Sequence, residues 1–233
     1  IVHNGSPLFT GDAGSGESEI RRWILEKDYL EAIVALPDQL FYNTGINTYL
    51  WFVTNRKSKE RKGKVQLIDA RTLFKKTRKS LGSKRHEIDT EHKKQILDLY
   101  EKFEENEHSK IFKTTDFAYR QIQIEQPLKD ESGNIVKNKK GEVEIDKSLR
   151  DYENVPYEMD VYEYFNKEVK PYVPDAWINE SARDHKDGKV GIVGYEIPFT
   201  RHFYKYEAPR SLEEIEIDIE KVENELLVLL KQL

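Results

Sequence analysis

Leu30-Glu-Ala-Ile-Val-Ala-Leu36, Asn47-Thr-Tyr-Leu-Trp-Phe-Val-Thr54 and Val65-Gln-Leu-Ile-Asp69 decide the fold class of this chain. The first is a short, nearly continuous apolar run stopped by Pro37, the pattern of a strand covered on both faces. The second is dense in β-branched and aromatic side chains and reads as another strand. The third returns after the basic turn Arg56–Lys64. A short polar link between neighbouring strands suggests antiparallel pairing, so the sheet is expected to be mixed. Just upstream, Ile20, Trp23 and Ile24 fall at i, i+3 and i+4 and predict a helix over 18–27, with Glu17 and Glu19 beside its positive end. Helix and strands in this order predict an α/β fold.

Beyond residue 70 the chain reads as helical. Asp89 or Thr90 can cap a helix whose stripe is Ile96, Leu99, Tyr100 and Phe103. Phe117–Glu125 alternates as a strand does. Residues 129–150 are charged, carry Ser-Gly-Asn and Lys-Lys-Gly turn signals, and predict an exposed hairpin or loop insertion. Pro156, Pro171 and Pro174 break any long helix over 151–188. At the C-terminus, Ser211-Leu-Glu-Glu214 matches a capping box. Leu212, Ile215, Ile219, Val222, Leu226, Leu229 and Leu233 then recur at alternating spacings of three and four, a heptad seam. That seam suits either packing on the chain's own domain or pairing with a partner helix.

Composition narrows the function classes. The chain has 233 residues, 35% charged and 37% hydrophobic, with 11% aromatic. No apolar run approaches the roughly 20 residues of a membrane helix, so no membrane association is expected. The absence of cysteine removes disulfides, thiolate metal sites and a cysteine nucleophile, and fits a cytoplasmic location. The chain starts at Ile1, without an initiator Met or a leader, and is expected to be cut, processed or disordered upstream. The net charge is −5, yet residues 56–86 carry thirteen basic and two acidic side chains, a surplus of eleven. Such a segment can neutralise phosphates, or can be a solvated hairpin tip and helix face.

Three apparent motifs fail on chemistry. Gly11-Asp-Ala-Gly-Ser-Gly-Glu17-Ser18 has Walker A glycine spacing, but a Glu stands where a Lys must meet phosphate. The six histidines show no spacing suited to zinc, so no metal site is expected. No Gly-x-Ser-x-Gly elbow occurs. The stretch Leu36-Pro-Asp-Gln-Leu-Phe-Tyr-Asn-Thr-Gly-Ile46, between two strands, can stack and hydrogen-bond a planar ligand through Phe41–Thr44, or can be a packed crossover.

Taken together, His3-Asn-Gly-Ser-Pro-Leu-Phe-Thr-Gly11, Gly14-Ser-Gly-Glu-Ser-Glu-Ile-Arg21, Leu36-Pro-Asp-Gln-Leu-Phe-Tyr-Asn-Thr-Gly45, Gly194-Tyr-Glu-Ile-Pro-Phe-Thr-Arg-His-Phe-Tyr-Lys-Tyr206 and Ala208-Pro-Arg-Ser-Leu-Glu-Glu-Ile215 resemble the later motifs of the modification (M) subunit of type I restriction–modification systems. The resemblance implies the C-terminal part of a Rossmann-like, S-adenosylmethionine-dependent adenine-N6 DNA methyltransferase, its mixed sheet ending in an antiparallel strand, with a helical C-terminal extension. It divides the chain into methyltransferase residues 1–110, a C-terminal region 111–206 and an assembly helix 207–233. It implies S-adenosylmethionine bound mainly upstream, and as partners DNA, a specificity (S) subunit, a second M subunit and a restriction (R) subunit. The family's glycine-rich cofactor loop and its Asn/Asp-Pro-Pro-Phe/Tyr catalytic motif have no match here, since none of the eight prolines is adjacent to another. No catalytic residue is therefore assigned. By the same resemblance Phe41 stacks on the extruded adenine, with Asn43 and Thr44 as base or backbone contacts, and His3–Phe9 lies on the same rim. Arg56, Lys57, Lys59, Arg61, Lys62 and Lys64 are candidate DNA-backbone contacts. Leu212, Ile215, Ile219, Val222, Leu226 and Leu229 are the candidate partner interface. The competing reading is a non-catalytic assembly or DNA-binding module that pairs through its last helix.

Overall fold

The computed structural model describes residues 1–206 and 211–230. They form two compact units, Ile1–Phe203 and Tyr204 onward. The first unit is built on a five-stranded mixed sheet. Its strands are β1 (Val2–His3), β2 (Leu30–Ala35), β3 (Tyr49–Val53), β4 (Lys64–Asp69) and β7 (Ser109–Lys113), in the order β1-β3-β2-β4-β7. Helix α1 (Gly16–Glu26) precedes β2; Ser15 caps it, its hydroxyl accepting from the Ser18 N–H at 3.4 Å. Between β4 and β7 come a hairpin of β5 (Lys75–Leu81) and β6 (Lys84–Glu87) and helix α2 (Thr90–Lys102). Asp89 caps α2, accepting from Glu91 and His92 N–H.

The register explains why β2 is central. Its residues are apolar on both faces and its backbone groups are buried, so it needs a neighbour on each edge. β3 pairs antiparallel, with Ala35 opposite Tyr49, and β4 pairs parallel, with Ala35 opposite Asp69. The short link between β3 and β4 therefore does not make them partners, contrary to the pairing its length suggested; β2 lies between them. Alternate side chains sort to two faces. Ile33, Ala35, Trp51 and Leu67 pack with Leu25 of α1 and with Phe117, Val193 and Phe199. Val34, Leu36 and Ile68 pack on the other face under Ile96, Leu99 and Tyr100 of α2.

A second sheet stands on the first core. Strand β8 (Ala118–Glu125) pairs antiparallel with β9 (Asp151–Pro156), β10 (Trp177–Ile178) and β11 (Ile192–Tyr195). The short α3 (Val161–Tyr164) runs into a wider turn at Phe165–Val169, and Val161 and Phe165 close a core with Ile122, Ile124, Val155 and Ile178. Residues 127–145 form the exposed ladder expected of the insertion, bridged at Pro127–Ile145, Lys129–Ile135 and Lys137–Val143. The division expected at residue 110 falls inside β7, and the first core draws on both sides of it, because Phe117, Val193 and Ile197 complete the face that α1 leaves open.

After α4 (Phe199–His202), the second unit contains α5 (Leu212–Leu230). At its start the Ser211 hydroxyl accepts from Glu214 N–H at 3.2 Å, as a capping box requires. Leu212, Ile215, Ile219, Val222 and Leu226 are exposed along it. The Leu229 side chain, Leu233 and the motif residues 208–210 lie outside the described residues. No helix among the described residues is long and apolar enough to cross a membrane.

Candidate functional site

Parallel strands β2 and β4 end at one rim, and ligands of open α/β sheets bind beyond such carboxyl ends. Three segments leave that rim. The first follows β1, whose His3 pairs with Tyr49. It turns through Ser6–Leu8, buries Leu8 and leaves Phe9 exposed. The second is the loop from Leu36 to Thr48. Pro37 ends β2, and the loop is closed by Leu36 N–H to Thr48 O at 2.8 Å and the Asn47 amide to Leu36 O at 3.2 Å. Leu40 anchors it on the α2 side. The third leaves β4 through Asp69 and Arg71 and becomes the β5–β6 hairpin.

Within the second loop, Phe41 bridges back to Thr44. Phe41 is 39% and Tyr42 63% exposed, so both rings face solvent while the backbone beneath them is fixed. The Thr44 hydroxyl accepts from Ile46 N–H at 3.3 Å, which gives Thr44 a local role in shaping the turn. The Asn43 amide makes no side-chain hydrogen bond among the described residues. An exposed aromatic on a braced backbone can stack a planar group without reordering, which limits the entropy lost on binding.

The β5–β6 hairpin stands where the sequence beyond residue 70 reads as helical. It holds the loop from below. Ser83 N–H donates to Tyr42 O at 2.9 Å, and Arg85 and His86 N–H donate to Gln39 O at 3.0 and 3.2 Å. His86 Nδ1 lies 3.0 Å from both the carbonyl and a carboxylate oxygen of Asp38, and the His86 ring stacks on Phe74 at 3.8 Å. Arg71 is committed elsewhere, forking onto Asp69 at 2.8 and 2.7 Å. Burial pushes the Asp69 carboxyl up, but the Arg71 bonds outweigh it and hold the group below its usual range.

Arg56–Lys64 lies at the opposite rim, because β3 ends and β4 begins there. Two of the six expected DNA contacts are interior groups. Lys57 Nζ donates to Asp28 Oδ1 at 2.5 Å and to Lys64 O at 2.7 Å. Arg61 donates to Gln66 Oε1 at 3.1 Å and to Tyr100 O, and its guanidinium sits 4.3 Å from the ring centroids of both Tyr100 and Phe103. Both are buried, so neither reaches a phosphate. Arg56, Lys59, Lys62 and Lys64 are exposed, but across the sheet from Phe41.

The glycine loop before α1 is closed by its own chain. Arg21 donates to the carbonyls of Tyr195, Pro7, Thr10 and Gly11 at 2.5, 3.2, 2.7 and 3.3 Å, and the space beside Gly11 is taken by Ser15 Oγ and Glu17.

The N-6 DNA methylase family profile matches residues 1–128, more than half of the chain and the part that builds the five-stranded sheet and its rim. The chain belongs to the N-6 DNA methylase family. Among curated relatives, the type I restriction enzyme MjaIX methylase subunit of Methanocaldococcus jannaschii is 37% identical over 106 residues, covering 46% of this chain and 18% of the relative. The HindI methylase subunit of Haemophilus influenzae is 42% identical over 73 residues, 31% of this chain and 15% of the relative. A solved type I methyltransferase subunit from Streptococcus thermophilus aligns with a TM-score of 0.43 at 24% identity, over 50% of this chain and 23% of that one. The chain thus spans less than a fifth of the length of these curated relatives.

Proposed function

We propose that this chain is the C-terminal part of a type I restriction–modification methyltransferase subunit, acting in the cytoplasm, which when complete transfers a methyl group from S-adenosylmethionine to adenine N6 in DNA. The observation that carries this reading is the coincidence of the family match with an exposed Phe41 on a braced loop at the carboxyl rim. An adenine must leave the helix before its amino group can be reached, and extrusion sacrifices stacking that a ring at this place restores. Phe41 is the stacking residue; Asn43, with its amide turned to no described partner, is the candidate polar contact. The cofactor and the catalytic Pro-Pro motif belong to residues outside these 233. The chain by itself should therefore transfer no methyl group from S-adenosylmethionine to duplex DNA, whereas the complete subunit with its specificity partner should yield N6-methyladenine. Methylcytosine as the product, or transfer by the isolated chain, would overturn the reading.

The α5 seam is proposed as the contact with the specificity subunit, in an assembly with a second modification subunit and a restriction subunit. Its exposed Ile219 and Leu226 fall on one helical stripe, as paired-helix contacts require. Ile219→Glu with Leu226→Glu should abolish co-purification with the specificity subunit and leave the thermal unfolding of the Ile1–Phe203 unit unchanged. Undiminished co-purification would refute this interface and leave the alternative, a seam that packs within its own chain.

A further inference from the structure

The surplus of eleven positive charges is one segment in sequence but two in space. Strand β4 carries the chain through six residues, about 20 Å at ~3.3 Å each, from one rim of the sheet to the other. Its first half is left beyond the amino end of β4, where Lys57 and Arg61 turn inward. Its second half becomes the β5–β6 hairpin at the rim that displays Phe41. There Lys75, Lys76, Arg78, Lys79 and Arg85 are all exposed, and among the described residues none of them forms a salt bridge. Lys76 and Arg85 line a cleft of about 460 Å³ with Gln39, Thr77, Ser80 and His86. Arg85 and His86 of β6 hold the carbonyl of Gln39, and Ser83 in the turn before β6 holds that of Tyr42, so the hairpin grips the loop two residues before Phe41 and one after it.

We infer that the β5–β6 hairpin grips the phosphate backbone of the DNA strand beside the extruded base and, through Gln39 and Tyr42, fixes Phe41 relative to that backbone. This rests on the reading of Phe41 given above and adds the element that positions it. Phosphate contacts set register and orientation while carrying no sequence information, which is the task left to a subunit whose partner reads sequence. The geometry of the link is tight. Gly82, at the hairpin turn, has φ +61°, and a Cβ there would stand 2.4 Å from Tyr42 O. Only glycine lets β6 approach the loop this closely. Lys84 adds to the seat, its ammonium 5.3 Å from the Tyr42 ring centroid.

The test uses the complete methyltransferase with its specificity subunit, titrated with duplex DNA from 50 to 200 mM salt. Replacing Lys75, Lys76, Arg78, Lys79 and Arg85 by Ala should lower the slope of log affinity against log salt by up to about 4.5, at roughly 0.9 per phosphate contact. The far-rim variant Arg56→Ala, Lys59→Ala and Lys62→Ala should leave the slope unchanged. An unchanged slope in the hairpin variant, or an equal loss in the far-rim variant, overturns the grip. Gly82→Ala separates the positioning role: the salt slope should persist while single-turnover methyl transfer falls at least tenfold, and an unaltered rate overturns the coupling to Phe41. N6-methyladenine formed by the unsubstituted enzyme in the same preparations keeps the two claims apart. If it forms and the hairpin variants are silent, only the hairpin inference fails; if it does not form, the reading of the rim fails with it.

Discussion

Asp184→Ala should destabilise the Ile1–Phe203 unit by about 3–5 kcal/mol, the range for removing one partner of a buried ion pair. Asp184 is fully buried, and its carboxylate takes Arg22 Nη1 at 2.7 Å and Nη2 at 3.0 Å. It also accepts the backbone N–H of Val193 at 3.1 Å, Lys186 at 3.0 Å and Asp187 at 3.3 Å. One side chain thus ties α1 to β11 and to the loop between β10 and β11. Burial alone would raise its pKa, but the Arg22 guanidinium and the three amides reverse that and hold the carboxyl far below the ordinary range. A depressed folded value means that the stabilisation is present above the unfolded pKa of about 3.9 and fades as pH falls below it toward the folded value. Wild type should therefore lose stability steeply below about pH 4, and Asp184→Ala should show a shallower acid limb. Arg22→Met combined with Asp184→Leu should recover part of the loss, because no unpaired charge then remains. Denaturant unfolding between pH 2 and 7 reads all three, and a loss below about 1 kcal/mol for Asp184→Ala would show that the pair does not bind the two layers.

Phe41→Ala in the complete enzyme should lower single-turnover methyl transfer roughly 10- to 100-fold, from the about 1–3 kcal/mol that one base–aromatic stack supplies. Phe41→Tyr and Phe41→Trp keep a π face and should stay within a few-fold of wild type. Because Phe41 is already 39% exposed and the loop is held by Leu40 and the β6 hydrogen bonds, the substitution should change thermal stability little. A loss of rate shared equally by the Ala and Trp variants would point to packing of the loop rather than stacking.

What could be read from the sequence and what could not divides along physical lines. Strands β2 and β4 were legible because two-sided burial writes an apolar run, and β3, half exposed at Phe52 and Val53, through its dense β-branched and aromatic residues; Pro37 and Gly45 punctuate the loop that carries Phe41. Helix α2 was legible through its Asp89 cap and its Ile96–Leu99–Tyr100 stripe. The β5–β6 hairpin was not, since Lys75–Leu81 is polar on both faces and its conformation is set by carbonyls of Gln39 and Tyr42, more than thirty residues away. Nor was the spatial split of the basic segment, which depends on β4 running parallel to β2. Lys57 and Arg61 looked like solvated cations because nothing in the local sequence announces Asp28, Gln66 or the Tyr100 and Phe103 rings. The second core escaped for a related reason: strands of two to six residues among prolines leave no periodicity. Asp184, by contrast, sits next to His185 in a stretch with no pattern at all, and only the fold reveals that it is a buried tie.

The most direct measurement places a photoreactive 5-iodouracil at the position of the target adenine in duplex DNA and irradiates it in the complete methyltransferase complex. The nucleotide adduct mapped by mass spectrometry should fall on Phe41, with secondary product at Tyr42, and should vanish in Phe41→Ala. An adduct confined to residues outside the Leu36–Thr48 loop, with Phe41 unmodified, would contradict the assignment of this rim to the extruded base.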